Sequence, residues 1–460
     1  MRLARLLAMY ALPLGIFVFM IPRALGAAWL FGDWLAMELL LLAVLAIVSY
    51  FVALKISLRI GGRRELALNG FRGLLFNFCW MVYFGSYLGL CAHLGYVPLL
   101  EFMLHGGDAS AMRADFYKVT EMPWIFFAYV QSIFNKGFVP FAIVAVFLIK
   151  SRFQAFVRLA IISFLLVSAF EKALITWAYI PLFIYFLSAK RFRDFWYAVM
   201  MFVGAFVFVS LVSLKSDLTL SDASNTAMPA TAQRSEHSAT RMLDTVRREL
   251  VGVPPVQVAS LADQHSYQFM FYDLDRPDGV AYMVNRLVWI PFVTAYDTLL
   301  YWQLSSSGSM LHFSTNRHLS RIFGLDFANL EKQVFMFQFK SGEETTGNSN
   351  AFYVAEAYVA FGLVGVVLFS ILIGLMFGQI IRGGVAPFVC AIPIVALGLI
   401  SVSLISTLFS GGLFLLVMLA FMLTRPLGRA RARVPALADW RLQAEGRPGL
   451  PRAAPSSGRC

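Results

Sequence analysis

Residues 348–380 read NSNAFYVAEAYVAFGLVGVVLFSILIGLMFGQI. A polar turn leads into an apolar run that is long enough to cross a bilayer as a helix. One carboxylate, Glu356, lies inside the start of that run. Ionised groups are costly in hydrocarbon, so a membrane helix that carries one usually has a use for it. The stretch therefore predicts a membrane helix with a functional group near its outer end.

The rest of the chain has the composition of the same kind of protein. Of its 460 residues, 59% are hydrophobic and 14% are charged, and the mean hydropathy is +0.71. Soluble domains carry about 25% charged residues. The apolar runs are continuous rather than alternating, which favours helices over a membrane barrel. We therefore predict an all-α polytopic integral membrane protein.

Ten apolar runs predict about ten transmembrane helices, each about 20 residues long where it is complete. They lie near residues 7–30, 34–58, 73–98, 123–149, 157–171, 173–189, 195–214, 351–380, 385–405 and 409–424. Glu171 and Lys172 divide the run 157–189 into two half-depth helices, because one long helix would place the next basic cluster on the wrong side. The run 287–304 contains Pro291 and Asp297, so we interpret it as a re-entrant or interfacial helix.

The net charge of +12 is concentrated in links between these helices. Basic clusters occupy residues 55–72, 150–158, 190–193 and 425–433, and the ten-helix arrangement puts all of them on one side. This is the positive-inside bias that sets topology, so both termini are expected to face the cytoplasm. The same placement argues against nucleic-acid binding.

The chain therefore divides into four parts. Residues 1–214 form an N-terminal transmembrane bundle, and residues 215–350 form one large external loop. Residues 351–424 add about three more membrane helices, and residues 425–460 form a basic cytoplasmic tail that is expected to be disordered. Within the loop, an apolar stripe over residues 239–250 predicts a helix on the membrane surface.

Carboxylates and cations near the outer surface are the candidates for chemistry. Glu356 is predicted to follow an N-cap at Ser349 or Asn350, and it can serve as a general base or simply pair with an Arg that holds two helices together. Asp297 is the second carboxylate candidate. Four glycines of the same run, Gly362, Gly365, Gly374 and Gly378, are interpreted as close-packing positions, and the last two form a GxxxG pattern.

Arg317 and Arg321 are predicted to share one face of a short helix that Ser314 caps and Gly324 ends. Like charges at that spacing repel, so a diphosphate between them would stabilise the arrangement, although a solvated face on an exposed helix is the simpler explanation. Arg286 and Lys172 are further candidates for a phosphate near the membrane surface. They can also be a snorkelling side chain and one half of a Lys172–Glu171 salt bridge.

No pattern indicates a metal or an organic cofactor. Asp273 and Asp275 form a DxD, but the sequence runs directly into a turn signal. His312 and His318 lack partners at metal-ligand spacing. Of the four cysteines, Cys79, Cys91 and Cys390 lie in apolar runs and Cys460 is terminal, so neither a disulfide nor a metal set is expected.

The stretch Asn348–Gly365 resembles the late signature of Wzy-type polymerases of O-antigen and exopolysaccharide repeat units. Members of that family show an Asn-rich turn, an aromatic, an acidic residue followed by Ala-Tyr, and an aromatic-Gly pair. The corresponding residues here are Asn348-Ser349-Asn350, Phe352-Tyr353, Glu356-Ala357-Tyr358 and Phe361-Gly362. A second similarity runs from Arg286-Leu287 through Ile290-Pro291 to Tyr296.

The resemblance implies a glycosyltransferase of the bacterial inner membrane, with a fold similar to that of C-type glycosyltransferases. It would move a growing glycan from undecaprenyl diphosphate to the end sugar of a new lipid-linked repeat unit on the periplasmic face, without a cofactor or metal. Trp302, Tyr353 and Tyr358 are then candidates for stacking on sugars, although each is also a common interface residue. Membrane lipid, a chain-length regulator and a flippase of the same pathway are the implied partners.

Two other functions fit the same chain. An O-antigen ligase would share the architecture and the lipid diphosphate donor, and it would differ in its acceptor. A transporter or flippase of lipid-linked glycans would be expected to show internal repeats and charges deep in several helices. No repeat is detectable in the sequence, which favours the enzyme.

Overall fold

The computed structural model describes residues 1–226, 288–339, Ser349 and 352–427, except for residues 61, 107, 108, 118, 120, 307 and 316. The predicted surface helix at 239–250, the pair Asp273 and Asp275, and Arg286 lie outside the described residues. So does the tail from residue 428 onward, including Cys460.

The described part of the chain is mostly helical. The helices before the large loop are α1 (Arg2–Phe19), α2 (Ile21–Phe31), α3 (Trp34–Ile60), α4 (Phe71–Leu94), α5 (Pro98–His105), α6 (Ala109–Tyr117), α7 (Trp124–Ile133), α8 (Val139–Ile149), α9 (Arg152–Ser168), α10 (Lys172–Ser188) and α11 (Phe192–Thr226). After it come α12 (Ile290–Ser306), α13 (Arg317–Phe323), α14 (Leu330–Phe339), α15 (Tyr353–Gly383), α16 (Ala386–Ser401), α17 (Leu404–Leu408) and α18 (Leu413–Met422). A π-helix, Phe134–Phe138, joins α7 to α8, and a 3-10 turn, His312–Thr315, precedes α13.

Seven helical segments of the described residues are long and apolar enough to cross a membrane. They are Arg2–Phe31, Trp34–Ile60, Phe71–Leu94, Trp124–Ile149, Phe192–Val212, Tyr353–Gly383 and Leu404–Met422. The all-α polytopic class is therefore confirmed. The other three predicted runs also contain helices, but α9 and α10 have 17 residues each and α16 has 16.

The break at Glu171 is confirmed, because α9 ends at Ser168 and α10 begins at Lys172. Phe170 between them adopts a positive φ of 51°, which turns the chain sharply. The centre of the bundle is made by α8, α10 and α16, and Phe141 of α8 stacks on Phe388 of α16 with ring centroids 4.1 Å apart. Cys79, Cys91 and Cys390 are buried and free, as expected.

Helices α3 and α15 run parallel and pack closely along most of their length. A Cβ atom at Gly374 would lie 2.6 Å from the Tyr50 carbonyl oxygen, and one at Gly378 would lie 2.5 Å from Ser57 Cβ. The two glycines therefore let the two backbones approach, as the GxxxG pattern predicted. The Ser57 hydroxyl donates to the Leu375 carbonyl oxygen at 3.0 Å and links the same two helices.

The end of the bundle at which the basic links meet is called the basic end. There β1 (Arg64–Leu66) pairs antiparallel with β2 (Thr424–Pro426). Arg64 donates to Thr424, and the Arg425 side chain pairs with Glu65. The expectation of a disordered tail from residue 425 is therefore wrong at its start, because pairing with the loop after α3 orders residues 424–426. The opposite end, where α3 and α15 begin, is called the site end.

Candidate functional site

Helix α15 is broken shortly after it begins. Phe361 has φ −139° and ψ 15°, and Gly362 has φ 63° and ψ −153°, a region that only glycine occupies readily. Gly362 was expected to be a packing position, so its role as the point of the break is a correction. Residues 363–383 alone are about 31 Å long at 1.5 Å per residue, which matches the hydrocarbon thickness of a bilayer. The short part before the break therefore lies at the site end.

A layer formed by residues 310–323 packs against this break. The Leu311 backbone N–H donates to the Val359 carbonyl oxygen at 3.0 Å, which satisfies a carbonyl that the interrupted helix leaves free. The Phe313 ring lies edge-on to Phe361 at 5.0 Å and stacks on Phe323 of α13 at 4.3 Å. The layer thereby holds α13 over the break.

Glu356 lies in the first turn of α15 and is buried, with 5% of its surface exposed. Its Oε2 atom accepts a hydrogen bond of 2.9 Å from the backbone N–H of Leu404, at the start of α17. The predicted N-cap is wrong, because α15 starts after Phe352 without a side-chain cap. The Ser349 hydroxyl instead donates to Gln338 Oε1 at 2.8 Å.

A second carboxylate, Glu331 of α14, lies close enough to Glu356 for the two charges to repel. Ser403, which caps α17 by accepting from the Ser406 N–H, also hydrogen-bonds Glu331. Burial raises the pKa of the Glu331 carboxyl, and the hydrogen bond from Ser403 opposes that rise. Glu331 and Glu356 are together called the carboxylate pair.

Asp297 is completely buried in α12. Its Oδ2 atom accepts from Gln338 Nε2 at 2.9 Å, and Gln338 in turn accepts from Ser349. Because Ser349 also donates its backbone N–H to the Glu331 carbonyl oxygen at 2.9 Å, this polar chain joins α12 to α14 and to the residues before α15. Asp297 thus lies within the packing beneath the site and not on an accessible wall.

An accessible carboxylate, Glu38 of α3, faces the other side of the first turns of α15. It accepts a hydrogen bond of 3.3 Å from Gln303 Nε2 and also bonds to the Tyr358 side chain. The Trp302 ring packs against Tyr358 at 5.5 Å, and its Nε1 donates to the Ser309 carbonyl oxygen at 2.7 Å. Glu38, Trp302, Gln303 and Tyr358 are called the Glu38 patch.

The three predicted cations that the structure describes are exposed. Arg317 and Arg321 lie on α13, and Gly324 ends that helix with a φ of 64°, as expected. Ser314 does not cap α13, because it belongs to the preceding 3-10 turn. Lys172 begins α10 at the apex of the α9–α10 hairpin and is also exposed.

The structure brings part of the predicted set together. Glu356 lies on one side of the first turns of α15, Tyr358 and Trp302 contact each other on the other side, and α13 with its two arginines packs over the break that follows. Tyr353 is fully buried, and its hydroxyl shares a 3.2 Å hydrogen bond with Ser370, so its ring lies in the packing of α15.

Glu331 and Glu38 did not stand out in the sequence. Glu331 is in the first turn of a helix in the large loop, and Glu38 follows the first turn of α3. A usable signal existed for Glu38, since it is one of two acids in an otherwise apolar start to a membrane helix, which is the criterion that singled out Glu356. Among the described residues, no group of three His, Cys, Asp or Glu side chains is arranged to hold a metal ion.

Comparisons with known proteins give no further guide. No protein-family model matches the sequence, and neither the curated proteins nor the solved structures yield a match.

Proposed function

We propose that this chain is a membrane glycosyltransferase that polymerises lipid-linked oligosaccharide repeat units. It would transfer the growing glycan from undecaprenyl diphosphate to the end sugar of a new lipid-linked repeat unit. The observation that carries the proposal is that the first turns of α15, at the site end of a membrane bundle and beside the break, carry a carboxylate on each side: Glu356 with Glu331 on one, and Glu38 bonded to Tyr358 on the other. Those residues of the Wzy-type resemblance that the structure describes thus contribute to one region of the molecule.

The chemistry of such a reaction fits these side chains. The acceptor is a sugar hydroxyl, which needs a base or an aligning carboxylate, and the carboxylate pair and the Glu38 patch each offer one. The half-buried Tyr358 beside Glu38 offers the apolar and polar surface that a sugar ring requires, and the buried Trp302 ring packs behind it. The leaving group is a diphosphate, whose developing charge the forked donors of arginine stabilise.

The arginines of α13 are the proposed diphosphate partners. Arg317 and Arg321 are exposed on a helix that Phe313 and Phe323 anchor over the break. A lipid diphosphate arriving from the membrane would therefore meet them at the same end as Glu356. Arg286 and Lys172 remain proposed as additional cations, and the ten-helix topology, the cytoplasmic termini and the inner-membrane location belong to the same proposal.

The direct test is to incubate the purified protein with lipid-linked repeat units and separate the products on a gel. A ladder of lengthened glycans is expected without added nucleotide or metal, and Arg317→Ala should lose it while still inserting into membranes. Absence of any ladder with correctly folded protein would refute the proposal.

Two further assays test the alternative functions, a ligase and a flippase. Adding lipid A core as the acceptor tests for a ligase, which would attach glycan to that core and leave the repeat units unextended. Protein reconstituted into vesicles tests for a flippase, which would move the lipid-linked glycan across the bilayer without lengthening it. Either result would replace the polymerase assignment.

A further inference from the structure

A cavity of about 440 Å³ lies between α4, α8 and α9 at the basic end, away from the candidate site. Its volume falls within the range of about 300–1,000 Å³ that is typical of small-molecule pockets. Phe76, Trp80 and Phe84 of α4 line one wall, and Ile161 of α9 lines another. Ile161 is 47% exposed, so the cavity opens sideways to the lipid that surrounds the bundle.

Three polar side chains line the cavity. Lys150 follows the last residue of α8, Arg158 lies on α9, and Asn77 lies on α4. All three are exposed, and no acidic residue lines the cavity. Arg158 lies six residues after the first residue of α9. Its backbone is therefore about 9 Å along the helix axis from the start of α9 at the basic end.

Two arginines close to the cavity are neutralised by an acidic side chain, whereas Lys150 and Arg158 are not paired with any described residue. Arg152 and Arg191 both pair with Asp194, each at 2.6 Å. Lys150 and Arg158 form no ion pair with any described residue. Positive-inside bias explains why cations lie at this end, but it does not explain why two unpaired ones share an aromatic-walled cavity.

The closed end of the cavity is built by backbone. A Cβ atom at Gly73 would lie 2.4 Å from the Leu68 carbonyl oxygen, so the loop before α4 packs directly on the first turn of that helix. The same loop is held by the pairing of β1 with β2. The cavity is therefore bounded by fixed elements and open toward the membrane.

We propose that this cavity binds one anionic glycerophospholipid of the surrounding bilayer. The phosphodiester lies between Lys150 and Arg158 with Asn77 as a further donor, and one acyl chain lies along the wall of Phe76, Trp80 and Phe84. A negative headgroup supplies the charge that no described residue provides, and the apolar walls match a hydrocarbon chain. Basic pockets between membrane helices on the cytoplasmic side bind anionic headgroups in this way. The proposal does not depend on the polymerase assignment.

The test is native mass spectrometry of the purified protein titrated with phosphatidylglycerol or phosphatidylcholine. Wild type is expected to retain one phosphatidylglycerol and to bind phosphatidylcholine much more weakly. The double variant Lys150→Gln with Arg158→Gln should bind phosphatidylglycerol about 25-fold more weakly, at about fivefold for each cation. Equal retention of the two lipids by wild type, or an unchanged double variant, would overturn the proposal.

A matched control uses two exposed cations of α3 at the same end. Lys55→Gln with Arg59→Gln removes the same charge outside the cavity, so phosphatidylglycerol binding should stay within about twofold of wild type. An equal loss in both double variants would mean general surface attraction and would overturn the site. Thermal unfolding in phosphatidylcholine micelles confirms that each variant is folded.

Four further measurements identify the occupant and protect the test against misfolding. Ile161→Trp, which fills the opening without changing charge, should also reduce lipid retention, and Arg158→Lys should largely preserve it. Inorganic phosphate at millimolar concentration should not displace the lipid, because it has no acyl chain. Displacement by inorganic phosphate, or tighter retention of undecaprenyl phosphate than of phosphatidylglycerol, would overturn the assignment to a phospholipid.

Discussion

Two substitutions of Glu356 separate a catalytic carboxylate from a structural one. In the structure, Glu356 Oε2 accepts the backbone N–H of Leu404 at 2.9 Å. That N–H belongs to the first turn of α17 and has no partner within the helix. Glu356→Ala removes the acceptor and leaves a buried donor unsatisfied, which costs about 1.5–3 kcal/mol for a bond to a charged group.

Glu356→Gln has a different expected result because the side-chain amide oxygen can still accept from Leu404. It also removes the repulsion with Glu331, so we expect its free energy of unfolding to stay within about 1 kcal/mol of wild type, as the bond becomes a neutral one. A catalytic or aligning role requires the negative charge. We therefore predict that Glu356→Gln folds normally and still fails to extend the glycan.

The assays are thermal unfolding of the purified variants in one detergent and the chain-extension gel. Glu38→Gln serves as a matched acid-to-amide change at the accessible carboxylate beside Tyr358. Full extension by Glu356→Gln would refute the catalytic assignment and leave Glu356 as a cap for α17. If Glu356→Gln is as unstable as Glu356→Ala, the inference from the Leu404 hydrogen bond is wrong.

Three other substitutions test the surrounding structure by thermal unfolding. Gly362→Ala forces a side chain into a glycine-only backbone region and should cost about 1–3 kcal/mol, whereas Gly204→Ala, which meets open space, should not destabilise; equal effects would contradict the break. Gly374→Ala places a Cβ atom 2.6 Å from a backbone oxygen of Tyr50 and should cost about 1–3 kcal/mol, and a neutral result would exclude the close α3–α15 contact. Burial raises the pKa of Glu331 above that of an ordinary Glu carboxyl, which is about 4.3. The folded state therefore loses stability as pH rises from the ordinary pKa through the raised one. Glu331→Gln should therefore raise the unfolding temperature at neutral pH and have little effect in acid; the reverse order would contradict this sign.

The elements that could be predicted from the sequence are those that depend on local patterns. Long apolar runs predicted the helices because lipid requires every backbone group to be bonded within its own segment. The pair Gly374 and Gly378 predicted a close helix contact, and α3 provides it. Glu356 was found because an acid in an apolar run is visible without knowledge of its neighbours.

The features that were missed depend on contacts between distant parts of the chain. Glu331 lies near Glu356 only because α14 packs beside α15, and Ser403 and Leu404 reach the same place from a third element. The β1–β2 pairing similarly joins segments about 360 residues apart. The break at Gly362 was misinterpreted because a glycine at positive φ and a glycine at a packing contact look the same in sequence.

The break in α15 and the contact of α15 with α3 have complementary consequences for the proposed reaction. On the basic-end side of the break, Gly374 and Gly378 fix the register of α15 against α3, and the hydrogen bond between Glu38 and Tyr358 on the other side of the break depends on that register. A slip of one helical turn, about 5.4 Å, would separate them. On the site-end side of the break, the first turns of α15 are held by hydrogen bonds from other elements. The Leu311 N–H donates to the Val359 carbonyl oxygen, and the Leu404 N–H donates to the Glu356 carboxylate. The carboxylates are thereby anchored to a rigid membrane frame on one side and to the loop layer that carries the arginines on the other. A lipid diphosphate sugar needs this combination, since its lipid is held by the membrane while its sugar and phosphate must be aligned outside it.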